Sequence, residues 1–123
     1  MILVDTSVWV DHLRAGDAQL VELLERNAVV MHPFVVGEIA CGRLADRAVT
    51  LDLLQHLPMT AIAESDEVLG YIERHRLHGQ GIGYVDVHLL AATAIAGARL
   101  WTRDKKLLAV ARKLGYALPN FKD

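Results

Sequence analysis

A single cysteine is the first scarcity in this 123-residue chain. Cys41 cannot form an internal disulfide, so the fold must be held by its core, and a reducing, cytoplasmic home is expected. Zinc chemistry has little to stand on. Among the six histidines, His75 and His78 are three apart on an expected helix, with no cysteine pair or carboxylate at a fitting distance. Membrane spans are missing too, because Asp5, Asp11 and Arg14 interrupt the apolar N-terminal stretch. That stretch has no basic segment leading a long apolar one, so no secretory leader is expected. Nor is there an excess of positive charge. Thirteen Lys and Arg against fifteen Asp and Glu leave a net charge of -2, with a pI near 6.3. Composition alone therefore does not mark a nucleic-acid binder. The glycines at 79, 81 and 83 are not followed by Lys-Ser/Thr, which excludes a phosphate-cradling loop of the nucleotide-binding type.

What is abundant is apolar residue. Hydrophobic side chains make up 53% and the mean hydropathy is +0.26, enough for a large interior or for an apolar surface kept for a partner. Repeats, low-complexity segments and linkers are not found, and the length fits one domain over residues 1–123. Two local basic stretches stand out, Arg74-His75-Arg76-Leu77-His78 and Arg103-Asp104-Lys105-Lys106, with Arg112-Lys113 further on. Each reads equally well as a solvated helix face or as a phosphate contact. In the second reading the candidate substrate-binding residues are Arg74, His75, Arg76, His78, Arg103 and Lys105.

The apolar pattern alternates between strand-like and helix-like segments. Met1 to Val4 predicts a buried strand, followed by a helix capped by Thr6 or Ser7 and ending near Gly16. Asp17 opens a second helix, Ala28 to Met31 a second strand, and Pro33 sits in the first turn of a third helix. Leu51, Leu54 and Leu57 predict a fourth helix closed before Pro58, and Met59 to Ile62 a third strand. Ser65 or Asp66 caps the next helix. Val85 to Ala96 is apolar almost all round and therefore central. Arg99 to Thr102 is a late strand, Lys105 to Leu114 a helix stopped by Gly115, and Tyr116 to Leu118 a last edge strand. Strands separated by helices predict an α/β fold, a parallel sheet sandwiched between helices.

In such sheets ligands bind beyond the carboxyl ends of the strands. Asp5 and Asp104 each follow a strand directly, which brings them to one edge despite about a hundred residues between them. Glu38 lies in a helix otherwise made of Val, Ile, Ala and Cys, between Gly37 and Gly42, where a close approach of another backbone is expected. Asp86 falls in the first turn of the most apolar helix, which has little solvent face, so it is expected to point into a cleft. Each acid taken singly has an ordinary explanation as a cap or a helix-dipole partner. Four at one predicted edge are harder to explain that way. Clustered carboxylates repel, and a divalent cation is the commonest offset, so the chain reads as a metal-dependent enzyme acting on phosphates.

The segments VDTSVWVDHLR, GEIACG, VDVHLLAATA and GARLWTRDKKLLAVARKLG resemble the PIN domain, specifically the VapC-type toxins of bacterial toxin–antitoxin pairs. The likeness runs over nearly the whole chain, although 44–82 carries no transferable motif. It implies a three-layer α/β/α fold and a ribonuclease in which Asp5, Glu38, Asp86 and Asp104 bind Mg²⁺ or Mn²⁺. By the same resemblance Thr6 or Ser7, and Thr102, orient the carboxylates or the attacking water. Asp5 and Asp104 are then the first choice for direct ligation, Asp86 a ligand or water-positioner, and Glu38 a base or a ligand through water. Oxygen-only ligands suit Mg²⁺ or Mn²⁺ better than zinc. The partners implied are RNA, a cognate antitoxin and a second copy of the chain, with Leu20–Leu24 and Leu51–Leu57 as candidate antitoxin grooves. Cys41, on an apolar helix, is expected to be a buried, inert thiol.

Two other classes remain open at this point. One is a PIN-like binding or regulatory module without turnover, against which the intact acidic quartet argues. The other is a phospho-accepting receiver domain, which would want an acidic pair at the first strand end and a Lys after a late strand. Here Thr-Ser follows Asp5, and Thr102-Arg103-Asp104 follows the late strand.

Overall fold

Strand β1 (Ile2–Val4) is buried at all three positions. Neighbouring strand residues point to opposite faces, so this burial requires cover on both faces of the sheet. The computed structural model, which describes residues 1–119, provides that cover with helices; the remaining four positions of the expected domain lie outside the described residues. β1 is central. It pairs in parallel with β2 (Val29–Val30) on one side and β3 (Arg99–Trp101) on the other, with Leu3 opposite Val30 and Leu100.

Two expected strands shrink to single bridges that widen this sheet by one residue each, Met31 with Met59 and Leu100 with Ala117. Met31 donates to the Pro58 carbonyl and accepts from Thr60, both at 2.8 Å. Met59 and Ile62 are 41% and 49% exposed, so no burial rewards a longer strand there. On the other edge, Leu100 exchanges bonds with Tyr116 and Leu118 at 2.8 and 2.9 Å, and Pro119 then offers no N–H to continue. Edges this short are poor templates for pairing with another chain.

The helices are α1 (Thr6–Ala15), α2 (Ala18–Glu25), α3 (Pro33–Ala40), α4 (Arg47–Gln55), α5 (Ser65–His75), α6 (Tyr84–Ala96) and α7 (Lys105–Leu114). Their starts follow capping chemistry. Asp17 accepts from the Leu20 N–H at 3.0 Å, and His32, ahead of Pro33, accepts at Nδ1 from Phe34 at 2.9 Å. At two starts the cap stands one residue earlier than expected. Asp5 itself caps α1, and Glu64 precedes α5, where Glu67 reaches back to the Glu64 N–H at 3.1 Å. In α6 every residue from Val87 to Thr93 is buried, which makes it the central helix. Leu3, Leu20, Met31, Leu89, Leu90, Leu100 and Leu107 are fully enclosed, each side chain contributing roughly 1.5–3 kcal/mol by leaving water.

Candidate active site

Because β1 and β3 run in parallel and end together, the residues that follow them emerge side by side. The Asp5 N–H bonds the Trp101 carbonyl at 2.9 Å, which carries the ladder one step past the last strand residue. Asp5 is 6% exposed and Thr102 4%. Oδ2 of Asp5 accepts the hydroxyls of Ser7 and Thr102, each at 2.7 Å. These hydroxyls accept in turn: Ser7 Oγ from the Arg103 N–H at 3.0 Å, and Thr102 Oγ1 from the Asp104 N–H at 3.1 Å. A continuous relay therefore runs from the start of α7 to the buried Asp5.

The other three carboxylates each have a donor of their own, local for Asp104 and Asp86 and distant in sequence for Glu38. Asp104 caps α7, with Oδ1 accepting from Leu107 at 2.9 Å. Asp86 turns Oδ2 back to the Gly83 N–H at 3.0 Å. Glu38, on the exposed side of α3, accepts the Thr6 hydroxyl at Oε1, 2.6 Å away. Thr6 and Ser7 thus serve different carboxylates. In all four acids one oxygen is occupied in this way, while Asp5 Oδ1, Glu38 Oε2, Asp86 Oδ1 and Asp104 Oδ2 have no protein donor among the described residues.

Electrostatics ties the quartet together. Burial pushes the Asp86 carboxyl above the ordinary range, the Gly83 N–H draws it back, and the negative charges of Asp5, Asp104 and Glu38 push it further up. All three are therefore within electrostatic reach of Asp86. Among the described residues, no three His, Cys, Asp or Glu side chains already stand as a metal-holding group. Each carboxylate turns one oxygen to its own donor. The donor set is all oxygen, with one unengaged oxygen per residue, and it fits a hard divalent cation.

The basic candidates divide. Arg103 is committed to ion pairs with Asp11 and Asp17, partners about ninety residues upstream that no local pattern could reveal. Lys105 is exposed next to Asp104. Arg74 and His75 line a separate cavity of about 360 Å³ with Tyr71, Ala91 and Tyr116, which contains none of the four carboxylates. Arg76 and His78 are exposed beyond the end of α5. Lys106 belongs to the second basic stretch but is not among the substrate-binding candidates, yet its side chain crosses Gly81, just ahead of the turn that presents Asp86. The signal available was its place two residues after Asp104.

Two expectations are corrected. Cys41 is exposed, because α3 buries only the side carrying Val35 and Ile39 and the thiol lies beyond its end. No backbone crowds Gly37 either: a Cβ there would meet nothing within 4 Å, and at Gly42 only the Ile39 carbonyl at 3.5 Å. The histidines are structural or peripheral. Burial, with His88 beside it, lowers His32 to about 4, so it caps α3 as a neutral ring.

A parallel sheet of this order with an acidic edge is the PIN architecture, and the family profile for the PIN domain matches residues 2–113; the chain belongs to the PIN-domain family. Within it the chain is of the VapC type. It is 52% identical to Ribonuclease VapC32 of Mycobacterium tuberculosis over 119 residues, 96% of each chain. It is 32% identical to Ribonuclease VapC11 of the same species over 134 residues, covering 99% of this chain and 100% of that one. Among solved structures, PAE2754 from Pyrobaculum aerophilum superposes with a TM-score of 0.65 at 19% identity, over 95% of this chain and 87% of that chain. FitAB bound to an IR36 DNA fragment gives 0.64 at 19% identity, over 91% of each chain. Both share the fold. No helix among the described residues is long and apolar enough to cross a membrane.

Proposed function

We propose that this chain, acting as one PIN domain in the cytoplasm, is the toxin of a toxin–antitoxin pair. In this reading it hydrolyses RNA phosphodiester bonds with Mg²⁺ or Mn²⁺ held by Asp5, Glu38, Asp86 and Asp104. One observation carries the reading: four carboxylates from four separate segments each have one oxygen engaged and one unengaged, and the charges of Asp5, Asp104 and Glu38 all act on the fourth, Asp86. When bound, the cation supplies activation of water and neutralises charge that builds on the phosphate.

The protein's own part is positioning. Ser7 and Thr102 fix Asp5 from two sides, so its free oxygen has a set direction. Thr6 orients Glu38 in the same way. Asp86, turned back at Oδ2 to the Gly83 N–H, presents Oδ1 to the cation or to its bound water. Lys105 and Lys106 flank the edge and offer charge to the RNA backbone.

Exposed apolar residues support partner surfaces. Leu20, Leu23 and Leu54 are spent in the core, but Val49 and Leu53 on α4 are 61% and 65% exposed and suit an antitoxin segment. Leu69 on α5 and Ile95 on α6, 57% and 65% exposed, suit a second copy of the chain. The test is cleavage of total RNA by purified protein with Mn²⁺ or Mg²⁺, with EDTA, and with Asp5→Asn. Discrete fragments that need the metal and vanish in the variant are expected. Full activity in a folded Asp5→Asn protein would refute the mechanism, and no cleavage in any lane would favour a binding module.

A further inference from the structure

Arg103 stands between Thr102 and Asp104, yet its guanidinium is held elsewhere. Nη1 donates to Asp11 Oδ2 at 2.8 Å, and Nη2 donates to Asp17 Oδ2. The group lies over the Trp101 ring, 5.5 Å from its centre, and the backbone N–H reaches Ser7 Oγ at 3.0 Å. Asp11 is in the body of α1, and Asp17 caps α2. The contacts with Ser7 and Asp11 thus tie the corner between β3 and α7 to α1, and the contact with Asp17 ties it to the start of α2.

Such a clamp is a weak source of global stability. The Arg103 and Asp11 side chains are 37% and 42% exposed, and pairs that open to water contribute little. Its geometry is of more consequence. The corner it holds supplies one of the two donors that fix Asp5, Thr102, and braces the other, Ser7, through the Arg103 N–H. Asp17 is only 16% exposed. Although burial disfavours its charge, the bonds from Arg103 and from the Leu20 N–H outweigh that and keep it ionised.

We propose that Arg103 is a positioning residue: clamped on Asp11 and Asp17, it sets Thr102 and Asp104 against Asp5 and so sets the cation affinity of the carboxylate edge. This rests on the metal-dependent nuclease reading, and it removes Arg103 from the RNA contacts that its charge suggests.

The test uses the full chain and three variants, Arg103→Ala, Arg103→Lys and the pair Asp11→Asn with Asp17→Asn. Mn²⁺ affinity is measured directly by calorimetric titration of the chelator-treated protein, and KM for an RNA substrate at saturating Mn²⁺. Circular dichroism checks that each variant is folded. Loss of a group that orients a ligand typically weakens metal binding about 10–100-fold, and that loss is expected for Arg103→Ala and for the double Asn variant alike. Combining the two should add nothing further, Arg103→Lys should recover part of the affinity, and KM should stay within about twofold of the parent. A phosphate-binding Arg103 gives the opposite pattern: unchanged Mn²⁺ affinity, a raised KM and a shallower salt dependence, and the proposal is then wrong. It is equally wrong if the double Asn variant binds Mn²⁺ like the parent. A parent protein that binds no Mn²⁺ overturns the metal reading itself, and this proposal with it.

Discussion

Thr102→Val exchanges a hydroxyl for a methyl at a position 4% exposed, so packing is nearly kept and hydrogen bonds are what change. Two bonds are lost. The 2.7 Å donation to Asp5 Oδ2 is charge-assisted, a class worth roughly 1.5–3 kcal/mol, and the 3.1 Å acceptance from the Asp104 N–H is an ordinary bond of about 0.5–1.5 kcal/mol. Ser7 still donates to the same Asp5 oxygen at 2.7 Å, which argues for the lower end, about 2 kcal/mol in all. With a urea slope of about 1–3 kcal/mol per molar, the denaturation midpoint of the metal-free protein should fall by roughly 1 M. Cleavage should suffer separately, because Asp5 loses one of two orienting donors; the metal concentration for half-maximal rate should rise about tenfold or more. Thr102→Ser keeps the hydroxyl and should behave like the parent in both assays, apart from a small packing loss. An unchanged midpoint together with unchanged metal dependence in Thr102→Val would refute the view that this hydroxyl holds the buried carboxylate.

Two further outcomes follow from the same geometry. Asp86→Asn should abolish cleavage yet raise the urea midpoint of the metal-free protein at pH 7. Burial first, then the charges of Asp5, Asp104 and Glu38, hold its folded pKa above the unfolded value. The folded state therefore keeps that proton to higher pH than the unfolded state does. The penalty is absent below the unfolded pKa, grows as pH rises and is complete above the folded pKa. The variant's advantage should accordingly shrink toward acid pH, and an advantage independent of pH would contradict the reasoning. Gly81→Ala places a Cβ at a φ of +78°, 2.6 Å from the Lys106 Cδ. It should cost about 1 kcal/mol for the left-handed backbone and raise KM for RNA as Lys106 is displaced, read by urea titration and steady-state kinetics.

Much of this architecture was legible because burial leaves a periodic trace. The apolar run before Asp5, the all-round apolar helix over Val87 to Thr93 and the caps at Asp17 and Asp104 are local patterns, and those elements lie within a residue or so of their expected places, whereas α4 begins at Arg47, four residues ahead of the leucines that announce it. The carboxylate edge followed from topology, since a residue after a parallel strand has only one edge to occupy. Illegible features all depend on what faces what. Met59 to Ile62 has a strand-like composition but no cover, so one bridge survives. Cys41 follows an apolar helix that is buried on one side only. Arg103 reads as a free cation until Asp11 and Asp17 are brought to it across about ninety residues. Nothing in Thr6 and Ser7 tells which will hold Glu38 and which Asp5.

The central place of β1 makes the two ends of the chain interdependent. Leu3 lies between Val30, laid down early, and Leu100, laid down much later, and Asp5 waits for a hydroxyl 97 positions further on. A growing or truncated chain that stops short of Arg99 lacks one flank of its central strand, one donor of its buried acid and one of its four carboxylates. On the proposed reading of the carboxylate edge, the site is therefore assembled only once Asp104 has been made.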